Sequence, residues 1–304
     1  MKLGVIGGAG LLGSTAAFYS AAQGFVDAIV LYDLRNNMSS SHAMDIDQCM
    51  SEINGTTAIA GEFDAMRDCD IILNTAGVPE RKVASRSEFL AGNVEIFKDI
   101  ASKINAWGTK PIIINASNPV DPLNYILFKL MSGASSHFVG FSRNDSLRFK
   151  WSISKEIGIP ATMIEAYAIA EHGDSQVPLF STARRIDTGE PIVFSEEQKK
   201  NILSRVRNWF TDYQKLDCGR TSGWTSGIGL SMIIKMLTSD SDEVVPCSVI
   251  PNGEYSLNDL SIGLPVKLGA DGVKEIIKFD LSDEENEGLH AAAEKIKKMA
   301  ADYI

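Results

Sequence analysis

The stretch Gly7-Gly8-Ala9-Gly10-Leu11-Leu12-Gly13 stands between an apolar run of strand length, Leu3–Gly7, and a helix-like segment. Read from Gly8 it is G-x-G-x-x-G, and read from Gly7 it is G-x-x-G-x-x-G. In either register the glycines permit a tight turn and let a pyrophosphate approach backbone N–H groups at a helix N-terminus. Alone the pattern is weak, because glycines also end strands. Asp33 strengthens it: it closes the next apolar run, Ala28–Tyr32, twenty residues beyond Gly13. A carboxylate there takes the ribose hydroxyls of a dinucleotide. It also repels a 2′-phosphate, so the expected cofactor is NAD rather than NADP, with Arg35 nearby as the one feature pulling the other way. A strand-end cap is the plain alternative for Asp33.

Outward from this turn, further strand candidates are Asp70–Thr75, Pro111–Asn115 and Phe138–Gly140. They are apolar on both faces, as parallel strands covered by helices on both sides must be. The helical connections make right-handed βαβ units, so an α/β fold is expected, with a Rossmann-type doubly wound parallel sheet first. The second half changes character. Glu165–Ala170 and Val177–Arg185 flank a turn, and a long helix is expected from about Glu196 to Lys215. Glu243–Ile250 and Ser261–Leu268, joined around Pro251-Asn252-Gly253, read as an antiparallel pair. Ser282-Asp283-Glu284-Glu285 starts a final helix with Lys295, Lys297 and Lys298 nearer its end, charges that complement the helix dipole. The expected organisation is an NAD-binding domain over 1–141 and an α+β catalytic domain over 142–304. No linker separates them, so a large interface is expected.

At 304 residues, with 44% hydrophobic and 22% charged residues, the composition is that of an ordinary globular protein. A net charge of −10 argues against nucleic acid or an anionic membrane as partner, since both need a basic face. Cys49, Cys69, Cys218 and Cys247 form no C-x-x-C pair and have no histidine spaced for zinc. That pattern suits free thiols in a reducing cytoplasm, and no metal is expected. Met1-Lys2 and the apolar run behind it imitate a signal peptide. Five glycines by position 13 and the return to a strand argue against that reading, and no segment is long and apolar enough to span a membrane.

Four histidines are present, and His42, His137 and His290 have no motif around them. His172 lies in the polar turn Ala170-Glu171-His172-Gly173-Asp174-Ser175 after an apolar strand. Upstream, Asp145 and Arg148 stand i, i+3 on an expected helix, which points a carboxylate and a guanidinium from one face. Hydride transfer to a 2-oxo acid needs a protonated base, and an acid that orients it and raises its pKa. It also needs a guanidinium to grip the substrate carboxylate. A second cation on the developing alkoxide contributes about 3–4 kcal/mol. His172, Asp145, Arg148 and Arg86 suit these four roles in that order.

Taken with these residues, the chain resembles the lactate/malate dehydrogenase family, most of all its lactate-dehydrogenase-like malate dehydrogenases. The matches run through Gly8–Gly13, Leu31-Tyr32-Asp33, Thr75-Ala76-Gly77-Val78-Pro79, Asn93 and Ser117-Asn118-Pro119-Val120-Asp121. They continue through Asp145-Ser146-Leu147-Arg148, Glu171–Ser175, Val177-Pro178-Leu179 and Leu260–Val266, which is essentially the whole chain in order. The resemblance implies His172 as proton donor and acceptor, Asp145 as its partner and Arg148 as carboxylate anchor. It implies Arg86 as the loop arginine that polarises the carbonyl, and Asn118 as a contact to substrate and nicotinamide ribose. It implies an NAD site at Gly8, Gly10, Leu11, Leu12, Gly13, Asp33, Thr75, Ala76, Gly77, Asn93 and Asn118. A dimer or tetramer of identical chains is implied as well.

One loop departs from the family pattern. In Ala76-Gly77-Val78-Pro79-Glu80-Arg81-Lys82-Val83-Ala84-Ser85-Arg86, the residue six before the catalytic arginine chooses the substrate. Malate enzymes carry arginine there and lactate enzymes glutamine; this chain has Glu80. By residue content instead, Arg81-Lys82 resembles the malate pair displaced by one place. An ionised Glu80 about 5–6 Å from a second substrate carboxylate would cost about 3 kcal/mol at an effective dielectric of about 20, on the order of a hundredfold against malate. Trp224, at the start of the helix that lines the side-chain pocket, stands where threonine or serine is common. A Trp beside a Glu suits a cation, and packing between domains is the plainer role for Trp224. Three readings therefore stand: a 2-hydroxy acid with an unusual, cationic side chain; malate read by Arg81; or a small monocarboxylate such as lactate. A non-catalytic NAD-binding homologue is the alternative from another class.

Overall fold

A computed structural model of the chain describes residues 1–78, 86–131, 133–219, 222–239 and 241–304, with residues 86–88 described through their backbone. Glu80 and Arg81 lie outside the described residues. The first half runs β1 (Lys2–Ile6), α1 (Leu11–Ala22), β2 (Ala28–Tyr32), α2 (Asn36–Ile53), β3 (Thr57–Ala60), β4 (Ile71–Asn74) and α3 (Arg86–Trp107). It continues through β5 (Ile112–Asn115), α4 (Val120–Leu130) and β6 (Phe138–Gly140). The second half runs α5 (Arg143–Ile157), β7 (Ile164–Glu165), β8 (Ala168–Ala170), β9 (Gln176–Pro178), β10 (Arg184–Arg185) and α6 (Glu196–Lys215). It ends with α7 (Trp224–Thr238), β11 (Val245–Val249), β12 (Ile262–Gly269), β13 (Gly272–Ile276) and α8 (Asp283–Ala300).

Strands β3-β2-β1-β4-β5-β6 pair in that order and all in parallel, the doubly wound arrangement expected. Their side chains alternate between two cores. Leu3, Val5, Ile71 and Leu73 join one cluster, while Ile6 and Ile72 join the other. Both faces of the sheet are thus covered by helices, which is why these strands read as unbroken apolar runs. The order reverses between β1 and β4, and in such sheets ligands bind in the crevice at the carboxyl ends of the strands beside that switch.

Three features differ from the sequence expectation. β3 was not anticipated: of Thr57-Ala58-Ile59-Ala60 only Ala58 is buried, so an edge strand shows no apolar run. Glu165–Ala170 is not one strand. β7 pairs with β10, whereas β8 pairs with β9 and β12, so the chain changes sheet between Glu165 and Ala168. Val177–Arg185 divides correspondingly, with a 3-10 turn at Phe180–Thr182 between β9 and β10. The antiparallel pair β11–β12 forms as expected, but it does not stand apart. β11 pairs with β6 at Ser248 and Gly140, so the sheet, eleven strands among the described residues, runs through both halves.

Helices α6 and α8 begin with complete capping boxes, Ser195 with Gln198 and Ser282 with Glu285, which satisfy N–H groups a helix start leaves orphaned. α7 lies against α1 at close range. A Cβ placed on Gly227 would collide with the Thr15 side chain, and Ser231 Oγ donates to the Ala16 carbonyl at 3.0 Å. This packing brings the start of α7 alongside the glycine turn.

Candidate active site

The glycine turn is held by backbone bonds. Gly7 and Gly8 N–H donate to the Tyr32 carbonyl at 2.9 and 3.0 Å, and Gly10 N–H donates to Gly7 O at 3.0 Å. Gly7 has φ +88°, a left-handed conformation that favours glycine. Gly13 is required by proximity: a Cβ there would lie 2.6 Å from Gly7 O and 2.9 Å from Thr75 Oγ1. Thr75 Oγ1 donates to the Ile6 carbonyl at 2.9 Å, tying the end of β4 to the end of β1. Leu11 and Leu12 open α1, whose first-turn N–H groups have no carbonyl within the helix to bond. Asp33 sits beside them, its Oδ2 accepting from Ala9 N–H at 3.1 Å and its Oδ1 from Arg35 N–H at 2.9 Å.

Ala76 and Gly77 leave β4 along a path fixed by Asn93. That fully buried residue of α3 accepts from Val78 N–H at 2.7 Å and donates to the Asn118 carbonyl at 2.6 Å. One side chain therefore joins the two loops at the carboxyl ends of β4 and β5. Asn118 itself is exposed. The cradle fits a dinucleotide. No Cβ fits at Gly13, the N–H groups of a helix start face it, and a carboxylate stands at the end of β2.

His172, expected as the proton carrier, and Asp145, expected as its partner, meet across two elements. His172 Nδ1 lies 2.6 Å from Asp145 Oδ2, and Arg148 Nη1 stands 3.7 Å from Asp145 Oδ1. Asp145 and Arg148 share one face of α5, as their spacing implied. Burial disfavours the charged ring of His172, but the charge and hydrogen bond of Asp145, with Asp121 adding to them, outweigh it and hold the pKa above its ordinary value. The Arg148 guanidinium carbon lies 4.4 Å from the centroid of the Trp209 ring, a cation–π contact that fixes the side chain from behind. Beside it opens a cavity of about 230 Å³ whose walls include Leu147, Trp151, Trp209 and Thr225.

Arg86 is the first residue of α3 rather than a residue of the loop. Trp224 is the first residue of α7 and is 58% exposed.

Several neighbours of the site were not singled out from the sequence. Asp121, buried in α4, accepts from His172 N–H at 2.7 Å and from Ser248 Oγ at 2.6 Å. Glu171, also buried, pairs with Lys295 of α8 at 2.6 Å and accepts from Ser175 N–H at 3.0 Å. Trp209 projects from α6 onto Arg148. The only available signals were the place of Asp121 in Ser117–Asp121 and of Glu171 beside His172. Nothing in the pattern of α6 marked Trp209.

Two family models match the chain: the NAD binding domain of lactate/malate dehydrogenase over residues 1–140, and the lactate/malate dehydrogenase alpha/beta C-terminal domain over residues 143–303. A malate dehydrogenase of Aliarcobacter butzleri is 33% identical over 301 residues, spanning 97% of this chain and 95% of its own. A malate dehydrogenase of Natronomonas pharaonis is 31% identical over 298 residues, with 97% of each chain covered. Among solved structures, a minor L-lactate dehydrogenase of Enterococcus mundtii, in a ligand-bound form, matches with a TM-score of 0.91 at 25% identity. That match covers 99% of this chain and 98% of the other.

Proposed function

The chain belongs to the lactate/malate dehydrogenase family, and from that premise we propose how its residues divide the reaction of an NAD-dependent oxidoreductase acting on the CH–OH group of a 2-hydroxy acid. NAD, when bound, supplies the hydride chemistry. The backbone of Gly8, Gly10, Leu11, Leu12 and Gly13 would hold its pyrophosphate, Asp33 its ribose hydroxyls, and Thr75, Ala76, Gly77 and Asn118 the region toward the nicotinamide, while Asn93, fully buried and expected as a direct contact, instead ties together the loops that carry them. The observation that carries the reading is the chain His172–Asp145–Arg148, at 2.6 and 3.7 Å. With Nδ1 engaged by Asp145, His172 gives and takes the substrate proton at Nε2. Arg148 grips the substrate carboxylate while Trp209 backs its guanidinium. Arg86 polarises the carbonyl oxygen. Replacing His172 with Ala tests these roles: turnover of every 2-oxo acid disappears while NADH binding persists. Retained turnover sinks the assignment.

The side chain accepted by this enzyme is, in the same reading, neither that of malate nor that of lactate. Glu80 stands at the selecting position, and Trp224 stands at the start of the pocket helix. A steady-state panel of 2-oxo acids with NADH, including cationic and aromatic members, tests this. Fastest turnover of oxaloacetate overturns it and favours the second reading, malate with Arg81 on the far carboxylate. That second reading draws on the malate dehydrogenases at 31–33% identity.

A homo-oligomer belongs to the same proposal. Phe18 of α1, Met44 of α2 and Ile228 of α7 are exposed apolar side chains on helices that pack against or beside α1, a surface suited to a second copy. A cytoplasmic location is supported by the four free thiols. Among the described residues no helix is long and apolar enough to cross a membrane.

A further inference from the structure

Beneath the turn that carries His172 lies a polar group that the reaction as described does not use. Asp121 is 1% exposed and accepts two hydrogen bonds, one at each oxygen: His172 N–H at 2.7 Å and Ser248 Oγ at 2.6 Å. Ser248 Oγ lies 2.9 Å from Ser261 Oγ, which accepts from Asn124 Nδ2 at 2.9 Å. Three elements, α4, β11 and the residue before β12, thus enclose one carboxyl group directly under the catalytic histidine. A buried carboxyl is expensive unless hydrogen-bonded, and an apolar residue of the same shape would fill this place at less cost. Ala170, two residues before His172, holds φ +72°, a conformation uncommon outside glycine, so the turn is itself constrained to meet this support.

We propose that Asp121 is a second positioning carboxylate for His172, fixing its backbone from below and, when ionised, favouring the imidazolium jointly with Asp145. The inference rests on His172 being the proton carrier. The charged groups facing His172 among the described residues are Asp145 and Arg148 from α5, Asp121 from α4 and Glu171 in its own turn, the last paired with Lys295 of α8. Ser248 and Ser261 contribute hydroxyls from the strand side. Arg148 opposes the imidazolium, and Asp145 and Asp121 favour it. Burial raises the Asp121 carboxyl to about 6, against the hydrogen bonds from Ser248 and His172 that lower it. Above that pH the group is ionised and its field is present. Below it the field fades, so the two carboxylates give the histidine a stronger hold on its proton near neutrality than one alone.

The substitution Asp121→Asn tests this, because an amide oxygen still accepts the His172 N–H while the charge is gone. In the full-length protein, the His172 imidazole, followed by NMR in 15N-histidine-labelled enzyme, is expected to titrate about one pH unit lower. The alkaline limb of kcat/KM for 2-oxo acid reduction is expected to move down by the same amount, with KM for NADH unchanged at pH values below the limb. A titration and limb that stay in place, or a loss of activity by one factor at every pH, overturns the proposal and leaves Asp121 a structural residue. Should the amide variant fail to fold, Ser248→Ala keeps the carboxyl and removes one of its hydrogen bonds. A smaller downward shift is then expected, and none overturns the proposal. If His172→Ala retains turnover, the proton-carrier reading fails instead, and the NMR titration still decides whether Asp121 governs the ring.

Discussion

His172 and Asp145 touch at 2.6 Å, and in the proposed mechanism that contact, with Asp121 adding to it, sets how the enzyme answers to pH. Burial alone would lower the pKa of His172, yet the neighbouring acids raise it above the ordinary imidazole value of about 6.5. If reduction of a 2-oxo acid consumes the proton on this ring, as proposed, kcat/KM in that direction should hold at low pH and fall as pH rises through the folded pKa, above about 6.5. Oxidation needs the neutral ring and should rise over the same window. A pH profile with its reductive limb below 6 contradicts the assignment. The same shift has a stability consequence. A raised folded pKa contributes stability that is fully present below the unfolded value of about 6.5 and is lost as pH climbs through the folded one. The replacement Asp145→Asn removes the orienting charge and favours the wrong tautomer. We expect a fall of about 10²–10⁴-fold in kcat, by the size of general acid–base effects, with the reductive limb displaced downward. An unchanged limb would mean that Asp145 serves Arg148 alone.

Helix α1 and its glycine turn give the next prediction. A Cβ at Gly13 would sit 2.6 Å from the Gly7 carbonyl, a backbone atom that has no rotamer to escape into. Gly13→Ala should therefore force the turn away from α1, lower stability by about 1–3 kcal/mol and weaken NADH binding together. Thermal melting and NADH fluorescence titration check both, and wild-type affinity would show that the turn tolerates the methyl. Such elements were legible because their physics is local. β1, β2, β4, β5 and β6 are apolar on both faces and were placed to within a residue at either end. α6 spans Glu196–Lys215, the bounds expected from the sequence, and the structure adds the capping box at its start. β3 escaped because an edge strand with one buried residue has no periodic signal. The break at Ala166-Tyr167 escaped because sheet exchange is decided by distant partners, Arg184 for Glu165 and Gln176 for Ala170. At the site, spacing and residue chemistry were enough to single out His172, Asp145 and Arg148, which the structure brings together. Asp121 and Trp209 were not singled out, since a carboxylate beneath a backbone N–H and an indole behind a guanidinium are made by tertiary contact. Glu80, the least ordinary residue in the sequence, lies outside the described residues, and its reading stays with the sequence.

Across the whole molecule, the division at 141/142 is proposed as one of labour, with the nucleotide held before it and the substrate chemistry after it. The sheet does not stop there. β11 continues from β6 through Ser248 and Gly140, where a Cβ on Gly140 would lie 2.6 Å from Ser248 Cβ. Other bonds cross the same line. Asp121 holds His172, Ser231 bonds to Ala16 of α1, and Asn124 bonds to Ser261. Separating the halves would bare β6 as a new sheet edge and the α1 face that α7 covers. We therefore expect the intact chain to unfold in one transition, with far-UV circular dichroism and loss of NADH binding superimposing in urea. A fragment of residues 1–141 should aggregate or stay partly unfolded instead of binding NADH with full affinity. Two separated transitions, with NADH retained after the second half has melted, would show that the halves are independent and that the continuous sheet couples them weakly. Coincident transitions would mean that the site is assembled only when the sheet is complete, which is what a histidine anchored from one half and oriented within the other requires.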